Sequence, residues 1–235
     1  MDCRIIHLEE TDSTNRWLKT HRLSLGKGEN VVVWTDYQTD GLGCGSNTWE
    51  SERGKNLLFS LLLHPRNIKA GNQFEISKAV SVAMCQTLRQ HADGFSIKWP
   101  NDIYWHDRKA GGILIENRLQ GGVVKESIVG IGINVNQDKF FSDAPNPVSL
   151  CQVTGHKEDR KQLLDDFLAR LDLQALPPSY ESFLYRRNGM WPYHDEDGEF
   201  TAELINVEPD GRLTLKDDKG ILRQYQFKEV QFIIA

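Results

Sequence analysis

Within KWPNDIYWHDRKAGG, residues 98 to 112, a carboxamide (Asn101) and a carboxylate (Asp102) follow a Trp-Pro pair, and a lone lysine, Lys109, stands just ahead of Gly111-Gly112. Proline stiffens the chain and biases Trp99 toward extended geometry. A carboxamide, a carboxylate and an ammonium held together can orient a metal-bound phosphate and neutralise charge developing on a phosphorane or acyl group. A solvated surface turn uses the same residue types, so this segment does not decide the matter alone. Three further polar segments are TDSTN (11 to 15), YQTDGLGCGSNTW (37 to 49) and GIGINVN (130 to 136). The second carries glycines at 41, 43 and 45, which permit close approach of backbone to a ligand, yet Leu42 and Cys44 between them carry no charge. Because position 46 is Ser, the loop is G-x-G-x-G and fails the dinucleotide fingerprint; no G-x-x-x-x-G-K-[ST] occurs either.

Each of the four segments lies at the end of an apolar strand or at a helix start, where side chains converge on one rim of a sheet. RIIHLEE reads as a strand and STNRWLKTHRLS as a helix, with Ser13 or Thr14 accepting from the orphan amides of its first turn. NVVVWTDYQT is a β-branched strand that delivers the chain into the glycine loop, and KNLLFSLLLHP is a second buried strand. Apolar residues at helical spacing in NQFEISKAVSVAMCQTLRQHA predict a long helix. GGILIENRLQGGVVKESIVGIGINV reads as a hairpin turning at Gly121-Gly122, and DRKQLLDDFLARLDLQAL as a helix. An exposed edge strand in ESIVGIGINV is expected to pair with a second copy, as a homodimer, or with a carrier, unless the second domain covers it. From about residue 190 the character changes to short alternating strands, with turns at Pro209-Asp210-Gly211 and Asp218-Lys219-Gly220. The expectation is an α+β architecture, a central mixed β-sheet with flanking helices over 1–188, and a small β-domain over 189–235 docked on it.

The chain has 235 residues, enough for a substantial core, with 39% hydrophobic and 26% charged residues. A formal charge of −5 argues against a broad nucleic-acid surface, though not against a small cationic pocket. Neither an apolar run of membrane-spanning length nor a secretory h-region is present, so no membrane association and a cytoplasmic location are expected. Cys3, Cys44, Cys85 and Cys151 are far apart and lack zinc-ligand spacing, which predicts reduced thiols.

KWPNDIYWHDRKAGGILIE resembles the signature of biotin protein ligases, and DSTN, YQT.G.G.....W.S and GIGINVN follow that family's order and spacing over roughly residues 5 to 150. Related lipoate ligases share the fold but usually lack the Trp-Pro-Asn-Asp form. The closing YQFKEVQFI resembles the family's SH3-like C-terminal β-barrel domain. The resemblance implies biotin and ATP as substrates, Mg²⁺ as the metal, and a biotin carboxyl carrier protein domain as partner. Biotin becomes biotinyl-5′-AMP, and a carrier lysine then takes the acyl group. It further implies that Ser13, Thr14 and Gln38 meet the ureido ring and that Gly41 and Gly112 lie against the vitamin. Lys109 corresponds to the family's essential lysine. Asn101, Asp102, Asn134 and Trp49 fall on the nucleotide side, with Asp102 also toward the metal. The chain starts close to the catalytic segment, so no DNA-binding helix-turn-helix is expected.

One departure stands out. The family loop generally reads G-R-G-x, whereas Leu42 and Cys44 follow the first two glycines here. Losing a charge-assisted phosphate contact costs on the order of 1.5 to 3 kcal/mol. Three outcomes stay open: a ligase with a compensating cation such as Arg53, Lys55 or Lys98, a ligase that leaks its adenylate, or a non-catalytic protein that binds biotin or carrier. The intact lysine segment favours the first.

Overall fold

A computed structural model describes residues 3–26, 28–141, 146–173 and 180–234. The chain runs through β1 (Arg4–Leu8), α1 (Thr14–His21), β2 (Val31–Thr35), β3 (Leu57–Leu63), α2 (Phe74–Leu88), β4 (Phe95–Lys98), β5 (Asp102–Trp105), β6 (Arg108–Gln120) and β7 (Val123–Ile133). Then come α3 (Leu150–Thr154), α4 (Arg160–Arg170), β8 (Trp191–Asp195), β9 (Gly198–Val207), β10 (Leu213–Asp217), β11 (Leu222–Tyr225) and β12 (Gln231–Phe232).

The first seven strands form one sheet in the order β1-β2-β3-β7-β6-β5-β4. β1 and β2 are parallel and the other neighbours antiparallel, so the sheet is mixed, as expected. Strand alternation splits the VVVWT run of β2 between two faces. Val31 and Val33 pack with Leu18 of α1, Leu62 and Ile128, whereas Val32 joins the larger core under α2 and α4. Every residue of β3 is buried because helices cover both faces, which explains its unbroken apolar sequence. α2 is likewise buried nearly all round.

β6 and β7 form the long hairpin predicted from Gly121-Gly122, whose φ angles of 62° and 77° suit a tight turn. Its register corrects one expectation. β7 pairs with β6 on one side and β3 on the other, so ESIVGIGINV is central and cannot accept another chain. The outer strands are β1 and β4. α4 stops earlier than its periodicity suggests, because Leu171 turns extended at φ −69° and ψ 110°. Residues 174–176 of that expected helix lie outside the described residues. The short α3 was not anticipated, although a capping box joins Ser149 and Gln152.

The last five strands form an antiparallel sheet ordered β11-β10-β9-β8-β12. Both predicted turns occur, with Gly211 at φ 95° and Gly220 at φ 81°. The division expected after residue 188 falls just ahead of β8, yet one buried cluster unites Phe59 and Trp99 with Tyr193, Leu204 and Val230. Polar contacts reinforce that junction. The Trp99 indole donates to the Gly211 carbonyl at 2.9 Å, Lys78 Nζ to the Val207 carbonyl at 3.3 Å, and Arg187 to the Leu204 carbonyl at 2.7 Å.

Candidate functional site

The four polar segments converge on one cavity of about 1150 Å³. Ser13, Thr14, Gln38, Trp49, Asn101, Asp102, Lys109, Gly112 and Asn134 all line it. Gly41 is the one predicted position that does not. A side chain there would meet the Trp49 carbonyl at 2.6 Å and Gln38 Nε2 at 3.0 Å, so the missing Cβ serves closure of the loop.

At the start of α1 the expected capping is replaced. Ser13 occupies the N-cap position in extended backbone, but its side chain makes no capping bond. Instead the Thr14 amide donates to Gln38 Oε1 at 2.9 Å, and the Thr14 hydroxyl donates to the same oxygen at 3.1 Å. Behind them the Ser60 hydroxyl, fully buried, lies 2.6 Å from Thr14 Oγ1 and 2.5 Å from Asn15 Oδ1. The Asn15 amide continues to Glu116 at 3.2 Å, and Lys19 reaches that carboxylate at 2.6 Å. A buried, mutually satisfied network of this kind fixes rotamers. It orients Thr14 and Gln38 at the cavity wall.

The glycine loop is a small hairpin closed by its own backbone. Leu42 bridges Thr48, the Gly43 amide donates to the Asn47 carbonyl at 2.8 Å, and the Trp49 amide to the Gly41 carbonyl at 2.9 Å. Gly45, at φ 70°, makes its bend. The hairpin lays the Trp49 indole across glycines of β6 and β7. A Cβ at Gly132 would come within 2.5 Å of the indole, and one at Gly112 within 3.3 Å. Trp49 Nε1 is buried there with no hydrogen-bond partner among the described residues. A buried donor left unpaired is costly, so this N–H awaits an acceptor that a bound molecule can supply.

Charge collects around Lys109, whose Nζ lies 2.7 Å from Asp102 Oδ1. Both side chains stay partly accessible from the cavity, at 24% and 19%. The two asparagines hold backbone: Asn101 Nδ2 donates to the Ile113 carbonyl at 2.8 Å and Asn134 Nδ2 to the Val148 carbonyl at 3.2 Å. Of the three compensating cations considered, only Lys98 lines the cavity. It packs over the Phe232 and Tyr104 rings, and burial pushes its ammonium below the ordinary lysine range, with Asp102 opposing. Arg53 is engaged with Glu10 and stacks over Tyr37. Burial holds the Cys44 thiol above its ordinary pKa despite the nearby Lys228, so it is a neutral group rather than a nucleophile.

No cluster of three or more His, Cys, Asp or Glu suited to a metal occurs among the described residues. Asp102, a single carboxylate in the cavity wall, does suit Mg²⁺, which keeps most of its waters. Sequence reasoning missed Gly130, where a Cβ would collide with the Asn15 carboxamide, and Gly132 under Trp49. Their signal was the pair of glycines inside an apolar strand, a mark of close approach. It also missed a wall from the second sheet, formed by Phe227, Lys228, Val230, Gln231 and Phe232. Nothing in that local sequence announces a site.

A family model described as "Biotin/lipoate A/B protein ligase family" matches residues 8–134. The chain is similar to the "Bifunctional ligase/repressor BirA" of Bacillus spizizenii, 29% identical over 93% of this chain and 72% of that one. It is 30% identical to the "Biotin--[acetyl-CoA-carboxylase] ligase" of Paracoccus denitrificans over 76% of this chain and 79% of that one. Against the BirA relatives it spans from about half to about three quarters of their length. Among solved structures, the Aquifex aeolicus biotin protein ligase in complex with biotin and ATP superposes with a TM-score of 0.78 at 28% identity, covering 99% of both chains.

Proposed function

The chain belongs to the biotin/lipoate A/B protein ligase family, and from that premise we propose that its cavity activates biotin with ATP and transfers it to a lysine of a biotin carboxyl carrier protein domain. It is a biotin protein ligase, ATP-dependent and AMP-forming. The observation that carries this reading is that one cavity holds both a neutral hydroxyl and carboxamide corner, Ser13, Thr14 and Gln38, and the Lys109–Asp102 pair.

The neutral corner suits a cyclic urea. With Gln38 Oε1 engaged by Thr14, the Gln38 amide N–H groups and the Ser13 hydroxyl would serve as donors to the urea carbonyl, and oxygen lone pairs remain for its N–H groups. Gly112 gives the vitamin room, and Gly41 acts through the loop instead. In the first step a biotin carboxylate oxygen attacks the α-phosphorus of ATP. The bond from that phosphorus to the bridging oxygen breaks, and pyrophosphate leaves with the electron pair. Lys109 stands between the two anions and lowers their repulsion as they approach. Asp102, 2.7 Å away, holds the ammonium in position. Magnesium, when bound, neutralises phosphate charge, and Asp102 would hold it with water completing the shell. Asn101 and Asn134 set the backbone around the phosphates, and the Trp49 indole N–H supplies a further donor. In the second step a carrier lysine amine attacks the acyl carbon, the acyl–oxygen bond breaks, AMP departs, and the amine proton passes to solvent.

The name of the Paracoccus relative supports a carboxylase carrier as the acceptor. Cysteines spaced without a disulfide-framework or zinc-ligand pattern suit a reducing compartment, so the cytoplasm is the expected location. Pyrophosphate release with biotin and Mg-ATP tests the reading. Biotin bound without any pyrophosphate released would overturn it.

A further inference from the structure

We propose that Lys228, carried by the C-terminal sheet, supplies the cationic contact to the phosphate of the acyl-adenylate that Leu42 and Cys44 cannot provide. This rests on the ligase reading and adds a residue to it.

Three observations converge on this lysine. Lys228 lines the same cavity as Lys109, although it belongs to the turn between β11 and β12. Its ammonium sits on the glycine hairpin, with Nζ 2.6 Å from where a Gly45 side chain would begin. Gly45 thus serves as a seat for the ammonium as well as a bend. The backbone at Lys228 has φ 74°, a region that favours glycine, so a non-glycine is held there against its conformational preference. Such a residue persists where its surroundings over-determine it, often around a ligand.

The other cations near the cavity are committed elsewhere. Lys109 is assigned to the reacting carboxylate and α-phosphate, Arg53 is paired with Glu10, and Lys98 packs over two aromatic rings where burial disfavours its charge. Lys228 is exposed at the cavity mouth and keeps a long flexible stem, with Nζ 5.7 Å from the Phe227 ring centroid. An ammonium resting on this hairpin brings a positive charge to a loop whose residues 42 and 44 carry none. A phosphate held under the hairpin therefore meets a charge from the second domain, and release of the intermediate becomes coupled to how the two sheets are docked.

The test compares wild-type protein with Lys228→Gln, Lys228→Arg and Lys228→Gly. Calorimetry measures binding of biotinol-5′-AMP, a non-hydrolysable analogue with the same bridging phosphate, and of biotin alone. Lys228→Gln and Lys228→Gly are expected to weaken the analogue about tenfold, and Lys228→Arg by less than about threefold. Biotin alone should bind all four proteins equally. Lys228→Gly should melt no lower than wild type because it relieves the left-handed backbone, which separates lost affinity from lost folding. During turnover, Lys228→Gln should shed free adenylate about tenfold faster. Unchanged analogue affinity in Lys228→Gln, with wild type releasing pyrophosphate, overturns the role of Lys228 and leaves the ligase reading standing. A wild-type protein that neither binds the analogue nor releases pyrophosphate overturns both.

Discussion

A lysine ammonium 2.7 Å from an aspartate is ordinary on a surface, and what distinguishes Lys109 is the cavity both groups face. Lys109→Ala is expected to lower the rate of pyrophosphate release by about 10²–10³-fold, the scale for removing one charge-stabilising group. Biotin affinity, measured separately by calorimetry, should change little. Trp49 offers a different test. Trp49→Phe keeps an aromatic ring over Gly132 but deletes the buried, unpartnered N–H, so thermal stability without ligand should hold while affinity for an adenylate analogue falls about tenfold. At this scale the sequence was informative where residue type and spacing together limit chemistry. Lys109, Asp102 and Gln38, singled out on those grounds, line one cavity. Gly41 does not line that cavity, and glycine by itself reports only that something comes close. Here the neighbour is the Trp49 carbonyl of its own loop.

Strands and turns carry the site residues to one rim, and two glycine substitutions on the β6–β7 hairpin should separate its two duties. Gly132→Ala drives a methyl into the Trp49 indole, so adenylate formation should drop sharply in an otherwise folded protein. Gly121→Ala meets no neighbour but must adopt φ 62°, costing about 1 kcal/mol. A lower melting temperature with normal turnover per folded molecule is the outcome expected there. Alternation, turn glycines and helical periodicity made most elements legible. The central position of β7 was not, since an apolar run looks alike at an edge and in the middle until its partners are known. α4 was drawn too long because local periodicity carries no signal of the extended turn at Leu171.

Across the whole molecule, the second sheet finishes both the core and the cavity. Trp99→Phe removes the indole bond to the Gly211 carbonyl and should destabilise the protein by about 1 kcal/mol, read by denaturant titration. The second sheet also sets an acid limit. Burial alone would raise the Asp195 carboxyl, but hydrogen bonds from Tyr225, the Asp197 amide and Arg223 outweigh it and hold its pKa below the ordinary 3.8. A lowered pKa gives stability that is fully present above that value and fades as pH falls through the folded-state pKa. Melting temperature should therefore drop as pH falls below about 4, and Asp195→Asn should flatten that part of the drop. A separate β-sheet was legible from its turns and short strands. Its share in the cavity was not, because Lys228 meets the glycine hairpin only through docking of two distant stretches of chain.

The hairpin over the cavity also has a temporal consequence. Its closing bonds, from Leu42–Thr48 to Trp49–Gly41, are all internal to the hairpin, so none of them depends on a contact with the ligand. Adenylate analogues should therefore associate in a single phase whose rate rises linearly with concentration in stopped-flow traces, and affinity differences among variants should reside in the dissociation rate.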